Sequence, residues 1–196
     1  MAWIRQAAEE LLTEYGRGAL TTTRVAERAG VSIGTLYQYV SSVDELMALL
    51  VEAHLERERA ALVSVLSEVS SLPLPEILDR LVDAFVGVFS DDPGLSAALY
   101  RECRSASWRP EIEELGVDSV AAFTEILLDH DDLVAVRNPR LASIAVVAAV
   151  DAFVQRAAAQ APSALRSGAV AHEARQLVRR YLLAPGSDPE PPDRSK

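Results

Sequence analysis

The stretch "LTTTRVAERAGVSIGTLYQYVSS", Leu20 to Ser42, decides how the rest of the chain is read. It holds two short helical patterns separated by a glycine. Thr21 is placed as the N-cap of the first, Leu20 before it can act as a hydrophobic staple, and Gly30 supplies the positive φ that ends the pattern after Ala29. Ser32 caps the second pattern, over residues 33–39. Two short helices packed at a steep angle need a small residue at their contact, a tight turn and a buried plug, and Ala26, Gly30 and Val31 supply these. Leu36 and Val40 are kept for the core, which leaves Ile33, Gly34, Thr35, Tyr37, Gln38 and Tyr39 facing outward. A helix-turn-helix presents such a helix to the major groove, with its N-terminal half against the base edges. Serine, threonine and tyrosine hydroxyls, with the first amides of both helices, can take phosphates.

The overall charge opposes that reading. The chain has 29 acidic and 19 basic side chains, a formal net charge of -10, and an acidic protein does not favour nucleic acid as a partner. The charge is segregated, however. Residues 20–43 carry Arg24 and Arg28 against Glu27, and residues 1–19 carry Arg5 and Arg17 against Glu9, Glu10 and Glu14. The opening segment is nearly neutral and the acid lies mostly downstream.

Outward from the motif, almost every segment has helical spacing and none reads convincingly as a strand. Ile4, Ala7, Ala8, Leu11, Leu12 and Tyr15 fall on one face of an opening helix stopped by Gly16. Ser41 or Ser42 starts a long fourth helix, with Asp44 and Glu45 in its first turn and Leu46, Leu49, Leu50, Ala53 and Arg57 along one side to about Ser67. After the break "SSLPLPE", Pro75 fits the first position of an amphipathic helix that turns Ile77, Leu78, Leu81, Val82, Phe85 and Phe89 inward. Further helices read over "LSAALYRECRS", over "RPEIEELGVDSVAAFTEILLDH" and, from Asn138 as cap and Pro139, to about Gln160. "APSALRSG" reads as a link to a last helix ending at "RRYLLAPG". The expectation is an all-α fold of about nine helices, its charged, proline-rich tail over residues 185–196 disordered.

At "AAEELLTEYGRGALTTTRVAERAGVSIGTLYQYVSSVDELMALLV", residues 7–51, the chain resembles the TetR family of transcriptional regulators. The "GTLY" core and the following "DELM" make the ordered match far more specific than a lone helix-turn-helix. The resemblance implies a DNA-binding domain over residues 1–45 and a ligand-binding and dimerisation domain over residues 46–184. It implies a homodimer joined through its last two long helices, a palindromic double-stranded DNA operator, and release by a small apolar or amphipathic effector. The DNA contacts it carries over are Thr22, Thr23, Arg24, Ser32, Ile33, Gly34, Thr35, Tyr37, Gln38 and Tyr39. Two positions depart from the family pattern. Ile33 stands where lysine or a polar residue is frequent, and Val43 stands where a phosphate-contacting lysine is usual. Ile33 can pack on a thymine methyl, whereas Val43 forfeits one phosphate contact, so a weaker and more sequence-dependent binder is expected.

In the body, candidates for an effector pocket are Phe85, Phe89, Tyr100, Cys103, Trp108, Phe123, Leu127 and Phe153, with core packing the competing role at each. Asp151 interrupts an apolar helix and needs a partner or a solvated cavity, either Arg156, Arg175 or Arg179 at the dimer interface, or the ligand. Cys103, the single cysteine, fits a reducing cytoplasm and has no second thiol to resolve its oxidation. "DHDD", residues 129–132, lacks metal-ligand spacing, so no metal or other cofactor is expected. "RLASIAVVAAVDAF", closed by Arg140 and Asp151, reads as a buried helix rather than a membrane span. No catalytic set or phosphate-binding glycine loop argues for an enzyme. The alternative to a repressor is a helical dimerisation or ligand-binding protein whose head has weakened or lost DNA binding.

Overall fold

A computed structural model describes residues 1–68, 72–103 and 109–183, and of the side chains at 101–103 and 109–112 nothing is described. Among the described residues ten α-helices follow one another with no strand: α1 (Ala2–Tyr15), α2 (Thr22–Arg28), α3 (Ile33–Tyr37), α4 (Val43–Glu68), α5 (Leu74–Asp91), α6 (Pro93–Cys103), α7 (Arg109–Asp129), α8 (Pro139–Gln160), α9 (Pro162–Arg166) and α10 (Ala169–Leu182). The architecture is the expected one, a head of three helices carrying the helix-turn-helix and a larger helical body.

Local chemistry explains the boundaries. The Thr21 hydroxyl accepts from the Arg24 amide at 3.2 Å, Ser32 from Thr35 at 3.0 Å and Asn138 from Leu141 at 3.1 Å, so α2, α3 and α8 each start on a side-chain cap. Gly30 has φ 70°, and with it Gly30 N–H donates to Glu27 and Val31 N–H to Ala26. That pairing of bonds closes α2 and lets Val31 fold back on the head's core.

Three details differ from the sequence-based expectation. The link after Gln160 is itself a short helix, α9, because Pro162 begins it and its Leu165 reaches the body core. α5 starts one residue early, which puts Pro75 at its second position. α8 is not buried all round: Leu141, Ile144, Ala148, Ala152 and Phe153 form an outward stripe, opposite Ala142, Val146, Val150 and Val154 in the core. By length and composition alone α8 could cross a membrane, yet its inner face packs on α5, α6, α7 and α10. The segment 185–196 lies outside the described residues.

Two cores result. The body core joins α5, α7, α8, α9 and α10, with Ala97 from α6 and with Leu62, Val65 and Leu66 of α4 against it. The head core takes Ile4, Leu11, Leu12, Val25, Ala26, Leu36 and Val40, then Leu46, Met47, Leu50 and Val51 from α4 and Leu95, Ala98 and Leu99 from α6. Helix α10 is clamped to α5 by Arg179, whose Nε and terminal nitrogen each meet Asp79 at 2.7 Å, and by an Arg175–Asp83 pair. A paired, planar guanidinium of this kind fixes orientation as well as charge.

Candidate nucleic-acid interface

Helix α3 lies on the head's surface with Leu36 as its one buried residue. Ile33 is 40% exposed, Tyr37 53% and Tyr39 46%, which is unusual for side chains of this size in a head whose core is otherwise closed. The Thr22 and Tyr37 hydroxyls stand 3.3 Å apart, so α2 and α3 present a joined pair of polar groups at their common edge. Ser32 and Thr35 hydroxyls lie 2.8 Å apart and tie the first turn of α3 together. Tyr39 is set by Trp3, whose ring meets it edge-on at 5.6 Å. Thr23, Gly34 and Gln38 face solvent without a local role.

The cations tell a different story. Arg24 donates to the Ala19 carbonyl at 3.2 Å and lies over the Tyr15 ring at 4.8 Å, so it braces the head and is turned from the α3 edge. Arg28 bonds Glu10 at 3.1 Å and Glu14 at 2.9 Å. The Tyr15 hydroxyl and then Arg28 hold the Glu14 carboxyl below the usual range, while Tyr15 is raised by the same contact. Arg17, which sequence reading passed over, pairs with Asp44 at 3.1 Å at the start of α4. Its position seventeen residues into a nearly neutral segment gave no signal of that contact.

The start of α4 is acidic and closed. Ser42 caps it by accepting from the Glu45 amide at 3.1 Å. Glu45 in turn accepts from the Ser41 amide at 2.6 Å and hydroxyl at 2.8 Å, which holds its carboxyl low. Val43 is half-buried against the head core beside this turn. Val43→Lys should keep that packing through its alkyl stem while its ammonium reaches solvent. The expected result is operator binding that tightens at low salt, with a plot of log affinity against log salt steeper by about 1. An unchanged slope would mean that the α4 start does not meet the DNA backbone.

In the body, Phe89, Phe123 and Leu127 are buried in one core and Phe85 packs against it, so four of the eight pocket candidates come together. Tyr100 is half-buried on α6, and Phe153 faces outward on α8, away from them. Trp108 and the Cys103 side chain lie outside the described residues. The arginine partners expected for Asp151 are not its partners within the chain: Arg175 and Arg179 are held by Asp83 and Asp79, and Arg156 is exposed. Asp151 instead accepts from Gln155, and burial and then the charge of Glu58 raise its carboxyl. Sequence reading sets His54 aside for want of a ligand-spaced partner and misses Glu58 and Gln155, although His54 and Glu58, like Asp151 and Gln155, are four apart and share a helix face. Among the described residues no three His, Cys, Asp or Glu side chains gather to hold a metal ion.

Residues 4–50 match the family model described as "Bacterial regulatory proteins, tetR family", and residues 73–182 match "Tetracyclin repressor-like, C-terminal domain". No curated protein matches the chain. Among solved structures, a regulatory protein in the tetR family from Rhodococcus RHA1 is 21% identical, with 93% of this chain and 97% of that one aligned at a TM-score of 0.74. SmeT, the repressor of the Stenotrophomonas maltophilia multidrug efflux pump SmeDEF, is 19% identical over 97% of this chain and 96% of its own, at a TM-score of 0.72. A SmeT–triclosan complex aligns over 97% of both chains at 19% identity and a TM-score of 0.70.

Proposed function

The chain belongs to the TetR family of bacterial regulatory proteins, and from that premise we propose that it is a ligand-responsive transcriptional repressor that binds a palindromic operator as a homodimer. The observation that carries the proposal is the surface of α3. Ile33, Gly34 and Tyr37 on α3, with Gln38 and Tyr39 in the turn that follows it, stand exposed, Tyr39 braced by Trp3, and the Thr22–Tyr37 pair is suited to a phosphate. With Arg24 and Arg28 engaged in the head itself, recognition rests on hydroxyls, the glutamine amide and apolar contact more than on charge.

The dimer is assigned to α8 and α10. The outward stripe of α8 sets small residues, Ala148 and Ala152, between the larger Leu141 and Ile144 on one side and Phe153 on the other, and α10 adds exposed Leu177 and Tyr181. Alanines let two helix backbones approach closely, and an apolar face of this extent is unfavourable in water. Two copies joined there would hold two heads for successive major grooves, about 34 Å apart. The effector enters the body, and derepression follows when it favours a spacing of the heads that no longer matches those grooves.

The test is selection of DNA from a random or genomic pool, followed by fluorescence anisotropy at low and moderate salt. A palindromic site whose affinity falls with salt is the expected outcome. No enrichment at either salt would overturn operator binding and favour the second reading, a ligand-binding dimer with a silent head, which the acidic start of α4 motivates.

A further inference from the structure

Inside the body lies a group of side chains that packing does not account for. His54 and Glu58 sit one turn apart on α4, and Asp151 and Gln155 one turn apart on α8. The His54 side chain is only 4% exposed; its Nε2 lies 3.1 Å from Glu58 Oε1, and its ring meets Phe89 edge-on at 5.2 Å. Phe85 stands against Phe89 at 5.1 Å. On α8, Gln155 Nε2 donates to Asp151 Oδ1, and the charge of Glu58 raises the Asp151 carboxyl. Two atoms remain over: His54 Nδ1 and Gln155 Oε1 are buried and have no hydrogen-bond partner. Buried polar atoms are nearly always paired, so two orphans, each on a residue bonded to one of two electrostatically coupled carboxyl groups, call for a ligand.

What is missing is chemically one-sided. A neutral imidazole that donates Nε2–H to Glu58 keeps a lone pair on Nδ1, an amide Oε1 only accepts, and both carboxylates have oxygens to spare. Covalent geometry keeps the orphans near the acids. Gln155 Oε1 shares a carbon with the nitrogen that meets Asp151, and His54 Nδ1 is one ring carbon from the nitrogen that meets Glu58. Arg57 and Arg59 on α4 pair with Glu9 and Asp118, Arg175 and Arg179 on α10 pair with Asp83 and Asp79, and Arg156, next to Gln155, is exposed to solvent. Burial, with repulsion from Glu58, pushes the Asp151 carboxyl up to about 7, as befits an acid with no cation beside it. An anion would meet the charge of Glu58 here and keep Asp151 protonated, and a neutral molecule would leave the Glu58 charge uncompensated.

We infer that the His54, Glu58, Asp151 and Gln155 cluster is the recognition point for the effector, and that the effector is an amine bound as its ammonium ion, its N–H groups donating to these acceptors and its apolar body lying against Phe85 and Phe89. The inference rests on the ligand-responsive reading above and gives it a chemical class. It also places the effector on α4, whose first turns belong to the head core and whose middle carries His54 and Glu58. A ligand between α4 and α8 therefore acts directly on the element that carries the head.

Calorimetry on the purified full-length protein tests this with three probes that share one apolar body: 4-phenylbutylammonium, 4-phenylbutanol and 4-phenylbutyrate. The ammonium ion should bind at least about tenfold tighter than the alcohol, since a buried charge pair contributes on the order of one decade or more. The carboxylate should bind weakest. Near pH 6 ammonium binding should release a proton, read as a dependence of the heat on the ionisation enthalpy of the buffer, because the ligand's charge drives Asp151 to ionise. Glu58→Gln and Asp151→Asn should each bring ammonium affinity close to that of the alcohol. The comparison of the three probes needs no variant, so a variant that fails to fold leaves it intact. Alcohol or carboxylate binding as tight as ammonium would overturn the inference while leaving operator binding untouched. Selective ammonium binding that left operator affinity unchanged would instead overturn the ligand-responsive switch and keep the site.

Discussion

Ala148→Arg should turn the protein from a dimer into a monomer in light scattering and lower its operator affinity by roughly a hundredfold or more. Ala148 lies at the middle of the outward stripe of α8, between Ile144 and Ala152, and makes no part of either core. An arginine there is therefore tolerated by the isolated chain. Against a second copy it would force two guanidinium groups into a seam built for methyl groups, with their charges desolvated. The loss of affinity follows from linkage: two heads joined in one molecule bind adjacent half-sites with an avidity about 10²–10⁴ above that of one head. Leu177→Glu, on the exposed face of α10, should act in the same direction by putting like charges across the symmetry axis. Should both variants stay dimeric and bind DNA as before, the α8 and α10 faces are not where the copies meet.

Asp151→Asn should raise stability at and above pH 7 and flatten its dependence on pH. The group's folded pKa of about 7 lies above the ordinary aspartate value. Between those two values the folded chain holds a proton that the unfolded chain has released, so stability is greatest on the acid side. It falls as pH rises towards 7 and is level beyond. The full excursion is up to about 4 kcal/mol, which for a chain of this size corresponds to roughly ten degrees in Tm. Among the described residues the charge that acts on Asp151 is that of Glu58, which is paired with His54. Glu14 and Glu45, held low by their own hydrogen bonds, act in the opposite sense at more acidic pH, and they cancel when variant and parent are compared. Melting curves from pH 5 to 8 on both proteins read the difference. Parallel curves would mean that water reaches Asp151 and keeps it an ordinary carboxylate.

The head was legible because its determinants are local. Thr21, Gly30 and Ser32 act on bonds within five residues of themselves, and an N-cap or a positive φ is written in one residue type at one place. The outward positions of α3 followed from the same short-range spacing. Arg24 defeats that logic, because whether an arginine reaches outward or braces its own fold depends on Tyr15 and Ala19, on another helix and a turn. The body resisted for the same reason on a larger scale. Arg179 and Asp79 are 100 residues apart, and nothing in either's neighbourhood announces the other. Asp151 could be recognised as a charge out of place in an apolar helix, but its companion Glu58 lies within the charged run "ERER", residues 56–59, and so did not stand out.

Helix α6 bears on how this protein can be recombined with its relatives. Its Leu95, Ala98 and Leu99 are part of the head core although they lie well past the last residue of the helix-turn-helix, while Ala97 on the same helix serves the body. The DNA-reading unit is thus continuous in space and split in sequence. A chimera that exchanges heads at a cut in α4 would set a foreign α1 against these three side chains, with Gly94 already close to Thr13 at the same junction. The head core runs from Ile4 to Val51 and takes in the α6 face that receives it, so a transplant of the proposed operator preference should move both.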